Sequence, residues 1–233
     1  MRAVEERRRH PHPGRLVAWL AFVGAWSALA YAAYFAGGAT EGEPLYEYAT
    51  AVQGAVVFAI ILGLALLIAS VGGGDARALL ALRRPDSWRV ALGLSLLVLV
   101  ATYATAAVLS QLLGLSPGEE QGLLPSEWRP ERAGQYAANF LLIVTLAPIV
   151  EELMFRGLGY SLLRPFGRVL AIVGSGVAFA AAHGLVEAFP LLALFGAGLA
   201  WIRDRTGSVV PCILLHGFFN AVAMLVVLAR PAT

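Results

Sequence analysis

The sequence predicts an all-α, polytopic membrane helical bundle of about seven transmembrane helices, eight if one of the longer spans is broken. Three observations carry that expectation. Hydrophobic residues make up 59% of the 233 positions and charged residues 14%, with a mean hydropathy of +0.73, a composition outside the profile of soluble globular domains. Apolar stretches recur at close to the roughly 20 residues that a helix needs to cross a bilayer core of about 30 Å. Their interiors lack the in/out alternation of a membrane barrel, and helices satisfy their backbone groups internally.

In chain order, a basic arm, Met1–Arg15, precedes the first span. It holds five arginines and two histidines, His10 and His12, interrupted by Pro11 and Pro13, and reads as a topogenic segment drawn to anionic headgroups. Two histidines without a fold around them make a weak metal site. The apolar segments then run over 16–36, 48–71, 90–113, 137–163, 169–186, 189–202 and 209–228. The first is read as a retained span, because its apolar run exceeds the usual 7 to 15 residues of a leader's core. The sixth, at fourteen residues, reaches only about 21 Å at 1.5 Å per residue, short of a full crossing. The loop from Gly114 to Gly134 is rich in Pro, Gly and Glu, with Trp128 as an interfacial anchor. The chain therefore divides into the basic arm (1–15), N-terminal helices with an outer loop (16–136) and a C-terminal helical core (137–229).

All seventeen basic residues are arginine, which we attribute to base composition of a GC-rich, bacterial genome. Thirteen lie at one set of ends: five before the first span, then Arg77, Arg83, Arg84, Arg89, Arg164, Arg168, Arg203 and Arg205. Only Arg129, Arg132 and Arg230 fall on the other, and Arg156 is left inside. This asymmetry predicts an integral protein of the bacterial inner membrane, with a cytoplasmic N-terminus and an outer C-terminus. A net charge of +2 gives no case for a nucleic-acid partner. The single cysteine, Cys212, sits in apolar sequence and reads as packing.

Ionisable groups at membrane depth are functional-site hypotheses by default, and five stand out: Glu151, Glu152, Arg156, His183 and His216. Residues four apart on a helix share a face, so Glu152 pairs with Arg156 in the favourable orientation. Glu151 points about 100° away with no charged partner on its own helix, so another helix must satisfy it. Phe179 with His183, and His216 with Asn220, are also four apart. Three helices can thus converge on a carboxylate, two imidazoles and an amide, a set suited to proton transfer and hydrogen-bond donation.

Together, Glu151-Glu152-Leu153-Met154-Phe155-Arg156, Phe179 to His183, and His216 to Asn220 resemble the EExxxR, FxxxH and HxxxN motifs of the CPBP family. These are the type II CAAX prenyl endopeptidases and the bacteriocin-processing or immunity proteins, also called the Abi family. The resemblance runs from about Asn139 to Leu228 and makes 137–229 a catalytic core. It implies an intramembrane endopeptidase acting on a membrane-associated protein or peptide, by C-terminal processing or anchor trimming. Glu151 looks like the general base, His183 the holder of the attacking water, and His216 and Asn220 the donors to the oxyanion. Glu152, Arg156 and Phe179 would be supporting residues. No cofactor is expected; the competing expectation is zinc on Glu151, His183 and His216, although the His-Glu-x-x-His pattern is absent.

Other classes fit less well. Gly72-Gly73-Gly74-Asp75 matches an aspartyl-protease GxGD pattern but has no second aspartate in an apolar stretch, so it reads as a loop. Gly174-Ser175-Gly176 reads as helix packing rather than a serine nucleophile. A non-catalytic binding or immunity factor, or a transporter with a proton relay, would use the same polar residues; the complete motifs favour the protease, and no inverted repeat supports transport.

Overall fold

The structure is a computed structural model that describes residues 13–36, 43–73, 75–113, 124–125 and 127–229. The readings made on His10, His12 and the rest of the arm before Pro13, and on most of the Gly114–Gly134 loop, fall outside these residues. Among the described residues eight helices follow one another: α1 (Pro13–Phe35), α2 (Tyr48–Ser70), the short α3 (Ala76–Leu80), α4 (Trp88–Leu113), α5 (Pro130–Phe166), α6 (Arg168–His183), α7 (Phe189–Thr206) and α8 (Val210–Leu225). The all-α membrane bundle expected from composition is what the chain forms.

Among the described residues five helices, α1, α2, α4, α5 and α8 with its extension to Ala229, are long and apolar enough to cross a membrane. The other two long helices coincide with the fifth and sixth apolar segments, but α6 has 16 residues and α7 ends on Arg203, Asp204 and Arg205. Seven apolar segments thus become seven long helices, of which length and composition qualify five as spans. The helix over the sixth segment also runs four residues past Ile202. Asp204 makes this possible by accepting from Arg168 at 2.6 Å and from the Tyr160 hydroxyl at 2.5 Å, so charge that reads as loop is satisfied inside the fold.

One apolar core binds the N-terminal helices to the C-terminal ones. Trp19 of α1, Ile61 of α2 and Val98 of α4 pack in the same cluster as Met154, Phe179, Phe195 and Phe219. Helices α6 and α7 meet almost backbone to backbone. A Cβ on Gly176 would come within 2.6 Å of the Ala197 amide, and one on Gly196 within 2.9 Å of the Gly176 Cα, which is the use of small residues in membrane helix pairs. Ser175 belongs to this packing, donating to the Phe155 carbonyl at 3.0 Å. Cys212 is fully buried with its Sγ 3.2 Å from the Leu199 carbonyl. Outward, Val52, Val56, Ile60, Leu92, Leu96 and Val100 are exposed, an apolar surface far larger than soluble proteins carry and one that lipid covers.

The arginine-bearing turns gather at one end. Arg15 donates to the Gly73 carbonyl at 2.5 Å, Arg83 to the Gly207 carbonyl at 2.8 Å, and Ser161 to the Leu79 carbonyl at 2.8 Å. Asp75, the last residue of the GxGD match, caps α3 by accepting from the Arg77 amide. At the opposite end Tyr46, Trp128 and Tyr136 form an aromatic cluster, beside an Arg129–Glu43 pair at 3.0 Å.

Candidate active site

Helix α5 is interrupted by two wider, π-helical stretches, Leu142–Leu146 and Leu153–Gly159, which flank a short α-helical segment, Ala147–Glu152. Such bulges occur often at functional sites. Here the first has a traceable consequence. In the wide turn the Ala147 amide bonds to the Leu142 carbonyl; the next carbonyl, Ile143, would be matched by residue 148, which is proline and has no N–H. The orphaned carbonyl is satisfied from α8, where Asn220 Nδ2 donates to it at 2.9 Å. Gly217, one turn earlier, permits the approach: a Cβ there would lie 2.7 Å from the Val144 carbonyl.

Glu152 and Arg156 are fully buried and paired at 2.7 Å. They are not an isolated couple. Glu152 Oε1 also lies 2.9 Å from His216 Nδ1, and the second arm of the Arg156 guanidinium donates to the Gly196 carbonyl at 3.0 Å while its carbon stands 4.3 Å from the centre of the Phe179 ring. The pair therefore ties α5 to α7 and α8, and the planar, forked cation suits contacts of this kind. Phe179 in turn packs edge-on to His216 and against His183, with centroids 5.5 and 4.5 Å apart.

Glu151 faces away from this network. Its Oε2 lies 3.9 Å from His183 Nε2 and 3.9 Å from His216 Nε2, and no hydrogen bond reaches that oxygen among the described residues. The tautomers follow from the partners. His183 Nδ1 is 2.7 Å from the Phe179 carbonyl and His216 Nδ1 is against a carboxylate; both partners only accept, so both Nδ1 atoms carry the proton. In the neutral rings both Nε2 atoms are then acceptors. A carboxylate and two imidazole nitrogens thus confront one another across gaps too long for direct hydrogen bonds and of the size that one bridging water closes.

The same three side chains are the candidate zinc ligands. Tetrahedral zinc with bonds near 2.0–2.1 Å would hold its donors about 3.3 Å apart, closer than the 3.9 Å separations here. As placed, both separations are wider than those of a zinc-bound set. Glu151, His183, His216 and Asn220 line a cavity of about 260 Å³ whose remaining wall, including Phe195 and Phe219, is apolar. The cavity extends to Leu45 and Leu124, on the side of the aromatic cluster and away from the arginine-rich turns.

The structure thus brings Glu151, His183 and His216 face to face, sets Asn220 in the same cavity with its amide engaged to α5, and places Glu152, Arg156 and Phe179 behind them. Sequence reasoning did not find Pro148 with Ile143, Gly217, Phe195, or the contribution of α1. A stripe of α1 residues four apart docks on the last turn of α6 and the turn that follows His183. Trp26 Nε1 donates to the Ala182 carbonyl at 3.0 Å, Ala30 meets Gly184, and the Tyr34 hydroxyl donates to Glu187 at 2.6 Å, a bond that holds the Glu187 carboxyl below the usual carboxylate range. The i, i+4, i+8 spacing was legible, but in a helix apolar all round it marked no preferred face. Gly184 has φ +64° and a Cβ there would lie 2.7 Å from the Ala30 backbone. Gly184→Ala is expected to lose about 1–2 kcal/mol from the left-handed backbone alone, read as earlier heat-induced loss of the monodisperse peak in detergent. An unchanged profile would show that the stripe does not hold this turn.

Residues 133–222 match a family model described as Type II CAAX prenyl endopeptidase Rce1-like. No curated protein and no solved structure matches the chain. The match begins at the first turn of α5 and takes in Glu151, Glu152, Arg156, Phe179, His183, His216 and Asn220. Over these residues the chain is similar to the type II CAAX prenyl endopeptidases, the same CPBP family that its three motifs resemble.

Proposed function

We propose that this protein is a glutamate-type intramembrane endopeptidase that hydrolyses a peptide bond in a membrane-associated protein or peptide, by C-terminal processing or anchor trimming. The observation that carries the reading is the water-sized gap between Glu151, His183 and His216, at the wall of an otherwise apolar cavity. A water in that gap donates one hydrogen to Glu151 and the other to an imidazole Nε2, which orients a lone pair into the cavity. Glu151 removes a proton as the water oxygen bonds to the scissile carbonyl carbon. The carbonyl oxygen becomes an oxyanion, and the second N–H of Asn220, left over from the Ile143 bond, serves as one donor to it. His216 serves as the other when its Nε2 takes up a proton from solvent, returned as the products leave, with Glu152 compensating the charge. Each such donor contributes about 10²–10³ in rate in proteases. The proton held by Glu151 passes to the amide nitrogen as the C–N bond breaks, returning the carboxylate.

This mechanism uses no cofactor. It treats Glu152, Arg156 and Phe179 as supports that fix His216 and the helix bearing Glu151. The arginine asymmetry supports a bacterial inner-membrane location with a cytoplasmic N-terminus, so the cavity opens on the outer side. To test the reading, membrane fractions from cells with wild-type and Glu151→Ala protein are compared by terminal-peptide mass spectrometry. New termini that need Glu151 are expected on membrane-associated proteins. Identical sets of termini would overturn the reading and leave the binding or immunity role. Metal analysis of active, purified protein separates the glutamate mechanism from the zinc one: stoichiometric zinc, with activity lost on its removal, would replace Glu151 as base by Glu151 as ligand.

A further inference from the structure

Glu151 and His183 stand in the walls of two cavities, and only the first also holds His216 and Asn220. The second, of about 210 Å³, lies towards the N-terminal helices, with Phe22 and Trp26 of α1, Val57 and Ile61 of α2, and Met154 and Ala182 in its wall. Phe58 of α2 borders both. Both N-terminal helices fall outside the residues that match a family.

We infer that this second cavity is a subsite of the same centre, and that it takes an apolar side chain of the substrate next to the bond being cleaved. The inference rests on the peptidase reading. A peptide bond set against Glu151 continues in two directions, so a chain lying in the first cavity has its other flank at the Glu151–His183 wall, where the second cavity begins. Chemistry restricts what enters. Apart from Glu151 and His183, every lining side chain is apolar or aromatic, and the one polar group, the Trp26 indole N–H, is already committed to the Ala182 carbonyl. A charged or amide side chain would be desolvated there without a partner. Branched aliphatic and aromatic side chains fit both the volume and the wall. The N-terminal helices thereby set specificity for chemistry that the C-terminal helices perform.

The test uses full-length protein in proteoliposomes with a library of single-span anchored peptides, randomised over alanine, valine, leucine, phenylalanine, asparagine and lysine at each of the residues around the cleavage site that mass spectrometry identifies. Wild type is expected to show one position, adjacent to the cut, where leucine or phenylalanine is preferred and asparagine and lysine are refused. Val57→Phe, which fills the cavity, is expected to lower the kcat/KM ratio of large over small side chains at that position by at least about tenfold, the size effect usual for an apolar pocket. Ile61→Ala, which enlarges it, shifts the ratio the other way. Each ratio is taken within one preparation, so partial misfolding cancels. If wild type cleaves but both variants leave the ratio unmoved, the subsite falls and the peptidase reading stands; if wild type cleaves none of the library, both fall.

Discussion

Glu151→Gln is expected to lower kcat by about 10²–10⁴, the usual contribution of a positioned general base, while the protein stays at least as stable as wild type. The two halves of this result have separate physical sources. Glutamine keeps the volume of the side chain but removes the basic oxygen, so water bound between His183 and His216 loses its proton acceptor. Stability is spared because Glu151 Oε2 makes no hydrogen bond within the described residues, and both imidazoles are held through their Nδ1 atoms by Phe179 and Glu152 instead. A carboxylate kept in an apolar cavity without a direct partner is costly to fold, and replacing it by a neutral amide relieves part of that cost, the usual relation between stability and function at a catalytic position. Turnover by purified variant in proteoliposomes and its thermal profile in detergent check both halves. Cleavage within tenfold of wild type would remove Glu151 from the role of base, and a large loss of stability would make it a structural residue.

The sequence carried the helices and the faces of the site, but not their assembly. Apolar length marked every long helix, because lipid imposes that length directly. It misjudged helix ends: α5 starts at Pro130, seven residues before its apolar run, α6 stops at His183, three before the end of its run, and α7 runs on past Ile202, where Asp204 is neutralised by residues some 40 positions earlier. The spacing of four in Glu152–Arg156, Phe179–His183 and His216–Asn220 showed which side chains share a face, since helix geometry alone decides that. It could not show that His216 reaches Glu152, a contact across 64 positions, and so the buried pair read as self-contained when it has a third member. The π-helical turns had one trace, Pro148, and their consequence for Asn220 depends on the approach of α8. The role of α1 left none, because Trp26, Ala30 and Tyr34 sit in a helix whose every face is apolar. What local chemistry dictates was legible; what depends on two helices meeting was not.

Arg156→Ala is expected to cost about 3–5 kcal/mol, the penalty for leaving one member of a buried ion pair uncompensated, a larger loss of stability than any other single substitution in the site should cause. Glu152 would keep only the His216 N–H, the Gly196 carbonyl would lose its donor, and the Phe179 ring its cation. Arg156→Lys restores the charge but cannot bridge carboxylate and carbonyl with one planar fork, so intermediate stability is expected. Removing both charges in the Glu152→Gln, Arg156→Met double variant distinguishes a structural pair from one that also serves catalysis. The double variant is expected to regain much of the stability lost in Arg156→Ala, since no charge is left buried and glutamine still offers an oxygen to His216 Nδ1. Its cleavage is expected to remain low, because a neutral amide cannot compensate a second proton on His216 when the oxyanion forms. Thermal profiles of the single and double variants in detergent, combined in a cycle and set beside their turnover, give the answer. Recovery of both stability and turnover would reduce Glu152 and Arg156 to packing; recovery of neither would mean that the charges hold α5, α7 and α8 together in a way that shape alone cannot replace.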